Sequence, residues 1–149
     1  MFVRFGPAGI PLSCKGRTLK DGLEDIYALE LNAMEIQLVR GVGQMIENAS
    51  EILALAEELD IQLSVHTPYY MDLLGDEEGV ERSIENIKWS AMIANELGAA
   101  VINTHIGLYG DRTREDALDF AIKGSMPMTV VYVGYGMANI GLYYLARTV

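Results

Sequence analysis

The sequence predicts an α/β protein organised as a partial (β/α)8 (TIM) barrel, and three observations support this fold class. Short apolar segments alternate with amphipathic segments about four times along residues 1–123, which is typical of parallel βα units. The first predicted strand is not followed by the glycine-rich phosphate-binding pattern of a doubly wound sheet. Two later segments end on the only histidines, His66 and His105. Periodicity alone fits both folds, and the strand-end histidines favour the barrel.

The first half of this pattern contains two βα units. Residues 3–5 predict a strand and residues 6–11 a loop, because two prolines and two glycines interrupt the segment. Thr18, with Asp21 three residues later, predicts a capping box at the start of the first helix. Residues 33–39 predict the second strand, and a helical apolar face begins at Met45.

The second half repeats the pattern. Residues 61–66 predict a strand that ends on His66, and a long helix begins at about Glu77. Gly98 is expected to end this helix, residues 100–104 to form the next strand, and Thr113 to begin the following helix. The chain therefore predicts about four βα units.

Composition limits the possible functions. The 149 residues are half hydrophobic, and the formal net charge of −10 disfavours a broad basic face that grips nucleic acid. The single cysteine, Cys14, excludes an intramolecular disulfide and fits a reducing compartment. The first residues lack the pattern of a secretory signal, so a cytoplasmic protein is expected.

The charge pattern changes near Lys123. No charged residue occurs from residue 124 to residue 146, and the segment Gly-Ser-Met at 124–126 is typical of a fusion scar. A frameshift or chance would produce the same pattern. We therefore divide the chain into a half-barrel at residues 1–123 and an apolar tail at residues 124–149 that does not match it.

The tail predicts a strand, a glycine turn and a helix. This order is similar to the opening of a dinucleotide-binding unit, but Asn139 stands where the third glycine of that motif belongs. A transmembrane helix is an alternative, because the uncharged run has about the required length of 20 residues. The preferred interpretation is a strand and helix that pack on the open edge of the half-barrel, with no membrane partner.

Four short motifs resemble a known family. The motifs at residues 5–11, 32–35, 65–70 and 103–105 look like the amino-terminal half of endonuclease IV-type proteins, within the xylose-isomerase-like barrels, and archaeal members are the expected nearest relatives. The resemblance covers roughly residues 1–123. It implies a zinc cluster at the carboxyl face of a TIM barrel, which cuts the phosphodiester backbone beside a base-less sugar in DNA repair.

The resemblance also implies roles for individual residues. The first two zinc ligands are matched by His66 and His105, and the other ligands of the family lie on later strands, beyond the matching motifs. A residue near the DNA-facing lip is matched by Tyr69, and Arg40 is placed to meet a phosphate. Glu35 and Asp111 are the acids near predicted strand ends that could bind the metal or orient a ligand. No catalytic residue is identified by this comparison.

Three functions stay open at this point. The first is a zinc-dependent endonuclease acting on abasic DNA, truncated and impaired because later metal ligands are missing. The second is a relative of sugar isomerases or epimerases, which would use Mn²⁺ or Mg²⁺. The third is a non-catalytic, truncated or engineered half-barrel. Its exposed strand edges predict a homodimer or a higher even oligomer.

Overall fold

The computed structural model describes residues 3–38, 48–123, 131–135 and 138–142, with side chains described up to residue 119. These residues form two compact units. The first unit draws on Met1–His66 and Trp89–Ile102, and the second draws on Thr67–Lys88 and Asn103–Val149.

Helices and strands alternate along the main part of the chain, as the sequence predicts. The elements are α1 (Leu19–Ala28), β1 (Ala33–Gln37), α2 (Ala49–Glu58), β2 (Gln62–His66), α3 (Glu77–Glu96), β3 (Val101–Asn103) and α4 (Arg114–Lys123). The three strands form a parallel sheet in the order β1-β2-β3. This arrangement confirms the predicted α/β class with βα units of a partial barrel.

The strand predicted at residues 3–5 is wrong. Phe5 O accepts from Ala33 N of β1 at 3.1 Å, but most of the pairing with the sheet lies in the predicted loop, where Glu35 N donates to Pro7 O at 3.0 Å and Gly9 N donates to Glu35 O at 2.8 Å. Pro7 has no N–H, so a regular ladder cannot form along this segment. At Gly6 a Cβ would lie only 1.6 Å from the carbonyl oxygen of Ala33, so this close approach requires glycine.

The predicted capping box at the start of α1 is confirmed. The Thr18 hydroxyl accepts from Asp21 N at 3.1 Å, and the Asp21 carboxylate accepts from Thr18 N at 3.0 Å. Hydrogen bonds from the side chain and then the backbone of Thr18 lower the pKa of Asp21 below its ordinary value. Thr113 makes the matching bond to Asp116 N in front of α4. Gly98, in the left-handed region at φ +62°, follows α3 as predicted.

The core of the first unit lies on one face of the sheet. Met34 and Ile36 on β1 and Leu63 and Val65 on β2 are at most 3% exposed. They alternate with less buried residues, as expected of strands with period two. Helical residues complete this core: Leu23 and Ile26 of α1, Ala49, Ile52 and Ala56 of α2, and Ile93 and Ala94 of α3.

The tail contains a hairpin rather than a strand followed by a helix. Strands β4 (Val131–Tyr135) and β5 (Ala138–Leu142) pair antiparallel, with Val131 opposite Leu142. The predicted strand is confirmed and the predicted helix is wrong. Asn139 and Gly141 are poor helix formers, and a separation of two residues suits a hairpin. A helix directly after β4, which a dinucleotide-binding unit requires, is therefore excluded.

Two further expectations concern the junction before the tail and the transmembrane alternative. The predicted junction at residues 124–126 lies outside the described residues. Among the helices that the structure describes, none combines the length and the apolar character that crossing a bilayer demands.

Candidate metal centre

The site begins with the polar face that β1 and β2 share. Glu35 lies opposite Ser64 in the parallel register, and Gln37 lies opposite His66. Because side chains alternate along a strand, these four residues project from the face opposite the apolar core. The strands therefore present an acid and an imidazole on the same face, with Glu35 in the middle of β1 and His66 at the carboxyl end of β2, where βα folds place their ligands.

Glu35 and His66 contact each other directly. The Nδ1 atom of His66 lies 3.0 Å from Oε1 of Glu35, and the two side chains are 23% and 19% exposed respectively. An ionised carboxylate only accepts hydrogen bonds, so we assign the proton of the neutral ring to Nδ1. This tautomer makes Nε2 the nitrogen with a lone pair. The pair is thus both largely shielded from water and fixed in orientation.

Backbone hydrogen bonds hold both residues. Glu35 uses its N–H and its carbonyl oxygen to bind Pro7 and Gly9, as described above, and the carbonyl oxygen of His66 accepts from Leu38 N at 3.0 Å. The loop that replaces the predicted first strand therefore helps to position the carboxylate. A ligand shell needs such support, since small displacements weaken metal binding.

The donor chemistry of this pair fits a divalent metal such as zinc. A histidine that binds metal through one ring nitrogen commonly donates the other N–H to a carboxylate, which fixes the tautomer and raises the basicity of the ligand. His66 would act as the ligand and Glu35 as the orienting group. Within the described ranges, however, no three His, Cys, Asp or Glu side chains lie close enough together to hold a metal.

The other predicted metal residues lie in the second unit. His105 is two residues beyond the end of β3, and both His105 and Asp111 have exposed side chains. The structure therefore brings Glu35 together with His66 in the first unit. The roles of His105 and Asp111 stay predictions.

Of the two predicted DNA-contact residues, the structure describes Tyr69 but not Arg40. Tyr69 is 70% exposed after β2, and its ring meets the edge of the Tyr70 ring at a centroid distance of 5.5 Å. This exposure places an aromatic surface on the loop, and its role in binding stays a prediction. Arg40 lies outside the described residues.

Sequence reasoning missed two threonines next to the histidines. Thr67 follows His66, Thr104 precedes His105, and both are at most 2% exposed. Their hydroxyl groups form a hydrogen bond of 2.9 Å. The available signal was the presence of one threonine beside each histidine, but adjacency in sequence does not reveal that the two hydroxyls meet.

Comparison with known families supports the fold. Residues 23–128 match the family described as the xylose isomerase-like TIM barrel. This range begins within α1 and extends past the end of α4 to residue 128. No curated protein matches the chain at a significant level.

Three solved structures are similar to this chain. The TTHB071 protein of Thermus thermophilus, from crystals soaked with zinc chloride, is 30% identical with a TM-score of 0.52 over 69% of this chain and 41% of that chain. Endonuclease IV of the same organism is 20% identical, with a TM-score of 0.56 over 87% and 53% of the two chains. SacUVDE is 23% identical, with a TM-score of 0.54 over 68% and 39%. The chain thus spans about half or less of each of these proteins.

Proposed function

We propose a function from the premise that this chain belongs to the xylose isomerase-like TIM-barrel family, whose match covers residues 23–128. The proposed activity is metal-dependent hydrolysis of a phosphodiester bond in abasic DNA, as in endonuclease IV-type DNA repair, with zinc as the metal. The observation that carries the proposal is the contact between Glu35, in the middle of β1, and His66, at the carboxyl end of the neighbouring parallel strand β2. This is the edge where barrels of this class place their chemistry.

His66 would hold the metal through Nε2, and Glu35 would keep the ring in the required tautomer and orientation. Bound zinc would supply Lewis-acid stabilisation of charge on the phosphate. Asp111 and His105 enter as further candidate ligands because of their sequence positions after β3. Tyr69 is the proposed contact to the nucleic acid, supported by its 70% exposure.

A complete catalytic zinc site needs three protein ligands and an open position. The described residues supply one histidine oriented by one carboxylate, and the chain spans 39–53% of the three similar structures. We therefore expect this chain alone to hydrolyse abasic DNA only weakly. Weak metal binding is expected to be easier to detect than catalysis.

The experiment measures zinc affinity by calorimetry and incision of a duplex with one abasic site. We expect His66→Ala and His105→Ala each to weaken zinc binding, and Gln37→Ala, on the same face as Glu35, to leave it unchanged. An undamaged duplex is the substrate control. A wild-type chain that binds no zinc and cuts neither duplex would contradict the proposed function.

A second candidate is an isomerase or epimerase acting on a small sugar. The net charge of −10 favours a small polar substrate over long DNA, and the family description names the xylose isomerase-like barrel. This function predicts aldose–ketose conversion or epimerisation that depends on Mn²⁺ or Mg²⁺. Conversion without any incision of abasic DNA would favour it over the nuclease.

A homodimer or a higher even oligomer is the proposed assembly. In the described sheet, β3 is a terminal strand, and the backbone of a terminal strand can associate with another copy. Light scattering of the purified chain tests this proposal directly. A folded chain that stays monomeric over a wide concentration range would contradict the dimer. The free thiol of Cys14 supports a cytoplasmic location.

A further inference from the structure

The segment of residues 3–9 pairs with the sheet along one side only. Phe5 O and Pro7 O accept from backbone N–H groups of β1 at 3.1 and 3.0 Å, and Gly9 N donates to a carbonyl oxygen of β1 at 2.8 Å. Residues 5, 7 and 9 therefore turn their backbone groups toward β1. Because these groups alternate between the two sides of an extended segment, residues 4, 6 and 8 turn theirs to the other side.

This outer side forms a free edge. Arg4, Gly6 and Ala8 make no backbone hydrogen bond to another residue that the structure describes, and Gly6 and Ala8 are exposed. Pro7 does not block the edge, because its missing N–H lies on the side of β1. The segment therefore offers three N–H and three C=O groups in extended spacing, which is a template for another strand.

The edge is nearly free of charge in an acidic protein. Residues 3–14 contain one charged side chain, Arg4, whereas the whole chain has a formal net charge of −10. The guanidinium of Arg4 lies 2.7 Å from a carboxylate oxygen of Asp60, so its charge is compensated within the same copy. Val3 and Phe5, at 71% and 67% exposure, add apolar surface beside the edge. A second copy can therefore approach here without the like-charge repulsion that the acidic surface produces elsewhere.

We propose that two copies of this chain pair antiparallel along residues 4–8, with Gly6 of each copy at the two-fold axis. In this register Arg4 lies opposite the partner's Ala8, and the two Gly6 residues lie opposite each other. Each of the three resulting pairs exchanges two hydrogen bonds, so the ladder contains about six. Phe5 meets the partner's Pro7 twice by symmetry. Any other register would leave at least one outward residue unpaired.

This pairing rests on the homodimer proposed above and gives it a surface and a register. It places the contact on residues 4–8, at the opposite end of the sheet from β3, because the segment lies beside β1 in the order β1-β2-β3. The interface is isologous, so it closes after two copies and does not continue into a fibre.

Ala8→Pro removes one outward N–H from each copy. It leaves the pairing with β1 unchanged, because Ala8 does not use its backbone on that side. Ala8→Ser is the matched control, since it keeps the N–H. Light scattering on the full chain measures the dissociation constant of the dimer, and circular dichroism shows whether each variant is folded. Amide hydrogen exchange, followed by NMR at several protein concentrations, locates the interface in wild type.

We expect Ala8→Pro to raise the dissociation constant at least about tenfold, because each dimer loses two hydrogen bonds and leaves two carbonyl groups without a donor. Ala8→Ser should match wild type. The amides of Gly6 and Ala8 should exchange more slowly as the wild-type concentration rises, and those of β3 should show no such dependence. Equal dissociation constants for folded Ala8→Pro and wild type would overturn the pairing. Concentration-dependent protection confined to β3 would overturn it as well, and this result does not require that the proline variant folds.

The two proposals fail in different ways. If wild type stays monomeric over a wide concentration range, the homodimer is contradicted and the pairing along residues 4–8 is overturned with it. If wild type dimerises and folded Ala8→Pro dimerises equally well, the homodimer stands and only the position of the contact is overturned. Zinc binding and incision of abasic DNA are measured separately, so neither result depends on them.

Discussion

Replacing Glu35 by glutamine tests how the carboxylate supports His66. The substitution keeps an oxygen within reach of Nδ1, which lies 3.0 Å from the present carboxylate, but it removes the negative charge. Glu35→Ala removes both the charge and the hydrogen bond. Comparing the two variants therefore separates the electrostatic contribution to zinc binding from the orienting contribution.

The expected loss of zinc affinity depends on how far the side chains of Glu35 and His66 are buried. Loss of a group that supports a metal ligand typically weakens affinity about 10- to 100-fold, or about 1.4–2.7 kcal/mol. The side chains of His66 and Glu35 are 23% and 19% exposed, so water screens the charge in part. We expect about a tenfold loss for Glu35→Gln and a larger loss for Glu35→Ala, up to about 100-fold.

Isothermal titration with zinc measures these changes, and circular dichroism shows whether each variant is folded. Gln37→Ala is the matched control, because Gln37 lies two residues along the same face of β1 and is exposed. If wild type binds zinc and Glu35→Ala binds it with the same affinity, Glu35 does not support His66 as a ligand.

Three further predictions concern stability, measured by denaturant unfolding. Ile26→Ala removes a fully buried side chain from the core and should cost about 3 kcal/mol; a loss below about 1 kcal/mol would contradict the described packing. Thr18→Ala should destabilise the protein at neutral pH. Because the pKa of Asp21 is lowered in the folded state, its contribution is present above the ordinary value of 3.8 and is lost as the pH falls further, so the difference from wild type should shrink in acid; a constant difference would contradict this. Gly110 has φ +57° and open space around the position of an added Cβ, so Gly110→Ala should lower the free energy of unfolding by about 1 kcal/mol. Gly98→Ala should lower it more, because its Cβ would lie 2.5 Å from a leucine methyl carbon of α2. Equal losses for the two variants would show that this leucine side chain moves aside.

Local signals in the sequence were sufficient for most of the main elements. Thr18 and Asp21 fix the start of α1 through hydrogen bonds three residues apart, and Gly98 adopts the positive φ that ends a helix. Both effects depend on neighbouring residues only. Hydrophobic periodicity likewise located the strands that carry Glu35 and His66, because one face of each strand is buried.

The errors lie where the outcome depends on distant partners. Residues 3–5 have the composition of a strand, yet most of the pairing with β1 is made by the loop that follows, where Gly6 allows close approach. In the tail, residues Ala138–Leu142 pair with β4 instead of forming a helix. Local propensity was too weak to decide between these states, and strand pairing decided both.

The site was predicted in part for the same reason. The identity of His66 and its place at a strand end follow from the sequence, and the candidate role of Glu35 follows from its strand. Their contact at 3.0 Å depends on the parallel register of β1 and β2, which no local pattern specifies. The hydrogen bond between Thr67 and Thr104 joins residues 37 positions apart. It was therefore beyond the reach of local reasoning.

X-ray absorption at the zinc edge tests the proposed role of His66 as a zinc ligand, because it identifies the atoms bound to the metal. We expect imidazole nitrogen in the zinc shell of the wild-type chain and the loss of one imidazole in His66→Ala. Glu35→Gln should keep that imidazole while the affinity falls. A zinc shell of oxygen alone, identical in wild type and His66→Ala, would show that His66 does not bind the metal.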